Sequence, residues 1–272
     1  MNAASSAPTW SVIVSSCDAY SDLWPFFFHF FGQQWPQGPE PVYLVSNFQT
    51  FEHPGVKTLA VGPDRAWGTT IHAALEKIPD DFVIFLLDDF FLDQPVPTGW
   101  VEKLVSQLDQ AGGDFVSLYH VACGRSAAAE GSLLTPIKER MECPGFHAGI
   151  FRRTYLMKLA AAGENIWRTE SLMRDDSLDS SFKQFSLSEN SPFHLTYVES
   201  VRGRFWKKNG LDYLTQHGLK PDLWRRPCPP SGTDPISRII RSFHKRRMNW
   251  LDKWRSKKSP EVVLTLKSRG HV

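Results

Sequence analysis

The stretch Phe82-Val83-Ile84-Phe85-Leu86-Leu87-Asp88-Asp89-Phe90-Phe91 constrains the fold more than any other. Six apolar residues run straight into two adjacent carboxylates. A run of this length, rich in β-branched and aromatic side chains, reads as a strand buried on both faces. It is far too short to span a bilayer. Like charges side by side are costly to bury unless a cation or solvent compensates them. In open α/β sheets, ligand sites lie outside the carboxyl ends of the strands. Asp88 and Asp89 therefore read as a divalent-metal or catalytic pair at the mouth of a central strand. The alternative is a solvated strand-to-loop turn, where Asp is common.

The chain around this strand has 272 residues, 42% of them hydrophobic, with ten Trp and nineteen Phe. That is enough for one large domain or two small ones with a sizeable core. The net charge of +2 hides an uneven distribution. Nine Lys/Arg face Asp252 alone between Arg238 and Lys258, so the remainder is acidic. A basic tail on an acidic body points to an anionic surface partner for the tail. Cys17, Cys123, Cys143 and Cys228 are widely spaced, which fits reduced thiols in the cytoplasm better than a disulfide framework. Cys143 and His147 have the spacing of half a zinc site, but no second half follows. Residues 1–16 lack the basic region of a signal peptide.

Along the chain, residues 1–9 read as frayed. Trp10 to Ser16 reads as a strand, followed by a helix capped at Ser21 that runs to Phe31 and is apolar nearly all round. Val42 to Val45 and Val56 to Val61 read as strands, and Trp67 to Ile78 as a helix. After the two aspartates come a helix from Thr98 and a strand from Phe115. A further strand runs from Gly145 to Phe151, with a helix from Thr154. Glu164 to Glu170 reads as a polar turn, followed by a helical segment containing Leu172, Leu178 and Phe182. His194 to Val198 reads as a strand leading to the basic patch Arg202 to Lys208. Pro221 to Pro235 reads as a linker. The alternation of strands and helices argues for a layered α/β sheet.

Four segments, in order, carry a resemblance. Ser15-Ser16-Cys17-Asp18-Ala19-Tyr20 follows the first strand. Gly62-Pro63-Asp64-Arg65-Ala66-Trp67 precedes a helix. Leu86-Leu87-Asp88-Asp89-Phe90 ends the central strand. Ala148-Gly149-Ile150-Phe151-Arg152-Arg153 is followed by Glu164 to Glu170. Together they resemble the GT-A fold of nucleotide-sugar-dependent glycosyltransferases, closest to bacterial enzymes that build lipopolysaccharide and other surface glycans. The resemblance covers residues 10–215 and implies a Rossmann-type mixed sheet flanked by helices. It implies a nucleotide-sugar half at 10–120 and an acceptor half at 121–220. The sequence departs from the family's DxD-type motif in having a doublet without a third aspartate.

The resemblance implies a role for each of these residues. Asp88 and Asp89 hold Mg²⁺ or Mn²⁺, with Asp89, nearer the strand exit, as first choice. Asp18, Asp64 and Trp67 contact the nucleotide, and Asp88 contacts the nucleotide-sugar. Arg202 and Arg204, with Lys207 and Lys208, close over the diphosphate as a flexible loop. Glu170 is the candidate general base, with Asp175 behind it; a helix N-terminus explains Glu170 equally well. Trp167 fits a sugar-stacking or a core position. Independently of the resemblance, residues 236–272 read as a basic amphipathic C-terminal segment with a helical stripe, suited either to an anionic membrane surface or to packing on the body. The expected partners are a nucleoside-diphosphate sugar and a glycan or lipid-linked acceptor, with no nucleic acid. The expected location is cytoplasmic, peripheral on the inner face of the cell membrane. A sugar nucleotidyltransferase is the enzyme alternative, although Ser15 to Tyr20 lacks its glycine-rich phosphate loop. A non-catalytic membrane-attached binding protein is the other.

Overall fold

Short apolar runs alternate with amphipathic stretches, and an α/β architecture results. The structure is a computed structural model that describes residues 7–119, 130–138, 143, 145–161, 165–174, 181–230, 238, 239, 242, 243 and 246. The strands are β1 (Trp10–Ser15), β2 (Val42–Ser46), β3 (Val56–Ala60), β4 (Phe82–Leu87), β5 (Phe90–Leu92), β6 (Phe115–Ser117), β7 (Leu134–Pro136), β8 (Gly149–Arg152), β9 (Gln184–Leu187), β10 (Tyr197–Glu199), β11 (Val201–Arg202) and β12 (Phe205–Trp206). The helices are α1 (Trp24–Gln34), α2 (Trp67–Leu75), α3 (Thr98–Gln110), α4 (Arg153–Ala161), α5 (Ile166–Met173) and α6 (Lys208–Gln216). The chain divides into two compact units, Met1–Tyr197 and Val198–Val272.

In the first unit eight strands form one sheet in the order β3-β2-β1-β4-β8-β6-β9-β7. The first four are parallel, and β8 runs antiparallel to both β4 and β6. This is the α/β class expected from the sequence, a mixed sheet flanked by helices. The sheet crosses both expected halves, because β8 lies directly beside β4.

β4 is buried on both faces, as its continuous apolar run requires. One face packs Val83 and Phe85 with Ile71 and Leu75 of α2 and Tyr155 and Leu156 of α4. The aromatic helix α1 packs against β5, which follows β4. Its Phe30 ring lies 5.3 Å from Phe91, while Phe27 stacks on Phe31 at 5.9 Å. Pro25, His29, Gly32 and Gln33 form its exposed stripe, so α1 is packed on more than one side as its composition predicts. Each fully buried Phe contributes roughly 1.5–3 kcal/mol relative to an exposed one.

Several local expectations are corrected. Glu164 to Glu170 is not a polar turn. Residues from Ile166 onward form α5, capped by Asn165, whose side chain accepts from Arg168 N–H at 3.0 Å. Phe182 is not helical; it precedes β9 and packs on Tyr155 at 4.4 Å. Thr98 is not a cap. Its hydroxyl donates to the Gln37 carbonyl and accepts from the Trp35 indole, both at 2.9 Å. Within the segment read as a linker, residues 221–230 carry local hydrogen bonds. Asp222 Oδ1 accepts from Trp224 N–H at 2.8 Å, and Trp206 N–H donates to the Pro227 carbonyl at 3.0 Å.

The second unit also corrects the expected flexible basic loop. Val201–Arg202 and Phe205–Trp206 form a tight antiparallel hairpin, with Gly203 at φ +62° in the turn. The helix α6 follows, and Gly210 lies against the Ser200 backbone. A Cβ at Gly210 would stand 2.6 Å from Ser200 Cα and 2.7 Å from its carbonyl oxygen. Backbone cannot yield as a flexible side chain does. Gly210→Ala is therefore expected to destabilise this unit by about 1–3 kcal/mol, read as a lower denaturation midpoint in urea.

Candidate functional site

The strand order creates the site. From β1 the chain moves outward to β2 and β3, whereas from β4 it moves to strands on the opposite side. The carboxyl ends of β1 and β4 therefore flank a topological switch point, where open α/β sheets leave a crevice. The two strands are in register from Trp10 opposite Phe82 to Ser15 opposite Leu87. That register brings Ser16 beside Asp88. The Ser16 hydroxyl donates to Asp88 Oδ2, and the Trp24 indole N–H donates to Ser16 Oγ at 2.7 Å. Asp88 is only 5% exposed, so its orientation is set by these neighbours. Asp89 is half-buried.

The exits of β1, β2 and β3 are tied into one rim. Asp18 Oδ1 accepts from the backbone N–H groups of Asn47, Phe48 and Gln49 at 3.0, 3.2 and 3.2 Å. Asp18 N–H donates to Asn47 Oδ1 at 3.0 Å, and Asn47 Nδ2 donates to the Gly62 carbonyl at 3.2 Å. The sequence expectation gives Asp18 a direct contact with the nucleotide. In the structure its carboxylate is turned onto backbone donors and builds the rim. Phe48, pinned by Asp18 through its N–H, stands 52% exposed on that rim.

Trp67 is likewise engaged with the protein. Its indole N–H donates to Ser15 Oγ at 3.2 Å, and its ring meets Phe146 edge-on at 4.9 Å. It forms part of the site's floor. Asp64 is exposed beyond the β3 exit.

Cys17 lies among these acids. Burial pushes its thiol up to about 12 from an ordinary value near 9, with the charges of Asp88 and Asp64 adding to the effect. Both causes disfavour the thiolate. At pH 8 the thiolate population then falls about a thousandfold below that of an ordinary cysteine. Cys17 is accordingly expected to resist iodoacetamide at pH 8 while the denatured chain reacts, as measured by mass spectrometry of the alkylated peptide.

Glu170 reaches the same end of the sheet by another route. Because β8 is antiparallel to β4, the residues entering β8 lie near those leaving β4. Gly145 belongs to that entry and has φ +87°, and a Cβ there would overlap the Glu170 carboxylate. Glu170 pairs with Arg174 at 2.8 Å, and Arg174 Nε donates to the Cys143 carbonyl, also at 2.8 Å. Trp167 is 76% exposed on α5, which excludes the core position. Asp175 lies outside the described residues.

Arg202 and Arg204 are exposed on the second unit's hairpin. Lys207 and Lys208, expected beside them, are instead bound within that unit to Glu199 and Asp212, each at 2.6 Å. Among the described residues no group of three or more His, Cys, Asp or Glu side chains is arranged to hold a metal. The half zinc site of Cys143 and His147 therefore finds no completion there. Two carboxylates at a crevice do fit a hard cation whose remaining ligands are substrate oxygens and water.

Sequence reasoning missed the contributions of Asn47, Trp24 and Gly145. Asn47 at a strand exit and glycine before a strand were visible signals; their partners were not.

No protein-family model matches the chain, and no curated protein matches it. Among solved structures it is similar to TarS of S. aureus, residues 1–349. The TM-score is 0.45 at 14% identity, covering 70% of this chain and 60% of TarS 1–349. The complex of that protein with UDP-GlcNAc gives 0.43 at 13% identity, covering 72% and 59%. The bifunctional IspDF of Campylobacter jejuni gives 0.37 at 15% identity, covering 70% and 52%. The chain thus spans about 60% or less of the length of the structures it resembles.

Proposed function

We propose that this protein is a nucleotide-sugar-dependent glycosyltransferase, moving a sugar from a nucleoside diphosphate to a glycan or lipid-linked acceptor with inversion. The observation that carries the reading is Asp88, a buried carboxylate held by Ser16 at the switch point between β1 and β4. The rim built by Asp18 and Asn47 supplies a rigid ledge for the nucleotide beside it, with Asp64 and Phe48 at its edge. Asp88 and Asp89 would hold Mg²⁺ or Mn²⁺, which offsets the charge growing on the leaving diphosphate. In the transfer, the acceptor hydroxyl oxygen bonds to the anomeric carbon as the bond to the diphosphate breaks. The hydroxyl proton passes to Glu170.

The C-terminal segment is proposed to rest on an anionic membrane surface at the cytoplasmic face. Arg238, Ile239, Ser242, Phe243 and Arg246 are helical and exposed, with Ile239 and Phe243 one turn apart. Apolar and basic groups together on an exposed helix favour such a surface. No helix among the described residues is long and apolar enough to cross a membrane. The rest of residues 236–272 lies outside the described residues.

Thermal denaturation with UDP-, GDP- and CMP-compounds, with and without Mn²⁺, tests the reading. One nucleotide is expected to raise the Tm by roughly 5–10 °C at a hundredfold excess over its Kd, and only with metal present. Failure of every nucleotide and metal pair to stabilise the chain would overturn the proposal. Stabilisation by a nucleoside triphosphate with sugar phosphate would favour a nucleotidyltransferase instead.

A further inference from the structure

A second group of side chains gathers at the same end of the sheet, on the side away from the Asp18 rim. β6 and β4 both run antiparallel to β8, so the exit of β6 and the entry of β8 lie together. Tyr119 leaves β6 and His147 enters β8. Tyr197 joins them, stacked on Phe90 at 3.9 Å with only 9° between the rings. Its hydroxyl lies 3.2 Å from His147 Nδ1. The Tyr119 ring lies 6.0 Å from His147 and 6.1 Å from Tyr197. Phe90 directly follows Asp88 and Asp89 in sequence, so this aromatic row begins where the proposed donor anchor ends.

We infer that Tyr119, His147 and Tyr197 form a stacking wall for the pyranose ring of a carbohydrate acceptor. The acceptor role rests on the transferase reading, whereas carbohydrate binding by these residues stands without it. Two features support the assignment. The wall grades from buried Phe90, through half-buried Tyr197, to Tyr119, which is 42% exposed. Tyr119 stands against exposed His147 and half-buried Tyr197, which itself stacks on buried Phe90. Its backbone is also fixed. Tyr119 N–H donates to Ser117 Oγ at 3.3 Å, Ser117 Oγ donates to the Tyr119 carbonyl at 3.1 Å, and Leu118 N–H donates to the Ala148 carbonyl at 3.0 Å. A preformed surface loses little ordering entropy on binding.

The chemistry of the wall selects the ligand. The negative face of an aromatic ring attracts the weakly positive C–H groups on the apolar face of a pyranose. Phenol and imidazole groups at the rim suit its equatorial hydroxyls. A lipid chain would favour a wall without these polar edges. A nucleobase would stack equally well, but the Asp18 rim lies on the opposite side of the switch point, at the exits of β1, β2 and β3.

Saturation-transfer NMR on the full chain tests the wall, using methyl β-glucopyranoside, methyl β-galactopyranoside and methyl α-mannopyranoside as probes. At least one glycoside should show transfer, strongest at the hydrogens of one ring face. Tyr119→Ala should weaken its binding about tenfold, and Tyr119→Phe should restore the stacking. Both variants should keep the wild-type Tm and the wild-type shift with nucleotide and Mn²⁺. Transfer that persists undiminished in Tyr119→Ala overturns the inference, as does its absence from all three glycosides with wild-type protein. A chain that binds glycoside through Tyr119 but no nucleotide would sustain the wall and overturn the transferase reading.

Discussion

Asp88→Asn is expected to remove metal-dependent nucleotide binding and to lower sugar transfer on the order of a hundred- to a thousandfold. The amide matches the carboxylate in size and can still accept the Ser16 hydroxyl, so the fold should persist. What disappears is the negative charge proposed to hold the cation beside the diphosphate. Asp88 is buried and bonded to Ser16 at the switch point, which fixes where its charge stands. Circular dichroism and Tm should match the wild type, while the Mn²⁺-dependent nucleotide shift is lost. Ser16→Ala is the graded companion. It leaves the charge but frees its orientation, and a 10–100-fold loss of metal affinity is typical of such supporting groups. It also strips the Trp24 indole of its acceptor, costing about 1–3 kcal/mol. Full transfer activity in Asp89→Asn would show that Asp89 holds no metal. Full activity in Asp88→Asn would remove the central support for the proposed function.

The parts of this arrangement that the sequence revealed are those encoded locally. The apolar runs of β1 and β4 and the stripe of α2 each announce themselves through periodicity and turn residues within a few positions. The two aspartates stand out because carboxylates directly abut a buried run. The rim was not legible in this way. Asp18 finds its acceptor role through Asn47, Phe48 and Gln49, about thirty residues away, and only strand pairing brings them together. β9 escaped notice because two of its four residues, Gln184 and Ser186, are polar although buried. Gln184 is accommodated by donating to the Tyr155 hydroxyl at 2.8 Å and the Met173 carbonyl at 3.0 Å. Helix α5 was hidden by its short length and by Trp167 facing outward; only Thr169 and Met173 are buried. Asn165 was the available signal, a helix cap read as part of a turn. In α6, a glycine is an unfavourable residue inside a helix, yet the Ser200 backbone leaves no room for a Cβ at Gly210.

The acceptor side yields the second large expected effect. Glu170→Gln should lower kcat by about 10²–10⁴-fold with little change in KM, as loss of a general base acts on the transition state rather than on binding. The side chain is held in place from two directions. Arg174 pairs with its carboxylate while donating to the Cys143 carbonyl, which anchors α5 to the segment entering β8. Gly145, at positive φ, provides the space in which the carboxylate lies. Gln keeps the volume and loses the basicity, so the Tm should fall by no more than a few degrees. Gly145→Ala separates placement from chemistry. It adds a side chain where L-residues are strained by roughly 1–2 kcal/mol and pushes a methyl group into the carboxylate. Both kcat and Tm should therefore fall, whereas Glu170→Gln lowers chiefly kcat. If Glu170 served only to pair with Arg174, Glu170→Gln would reduce stability and leave kcat intact. The base would then have to be another carboxylate near the acceptor, and Asp175→Asn becomes the decisive substitution.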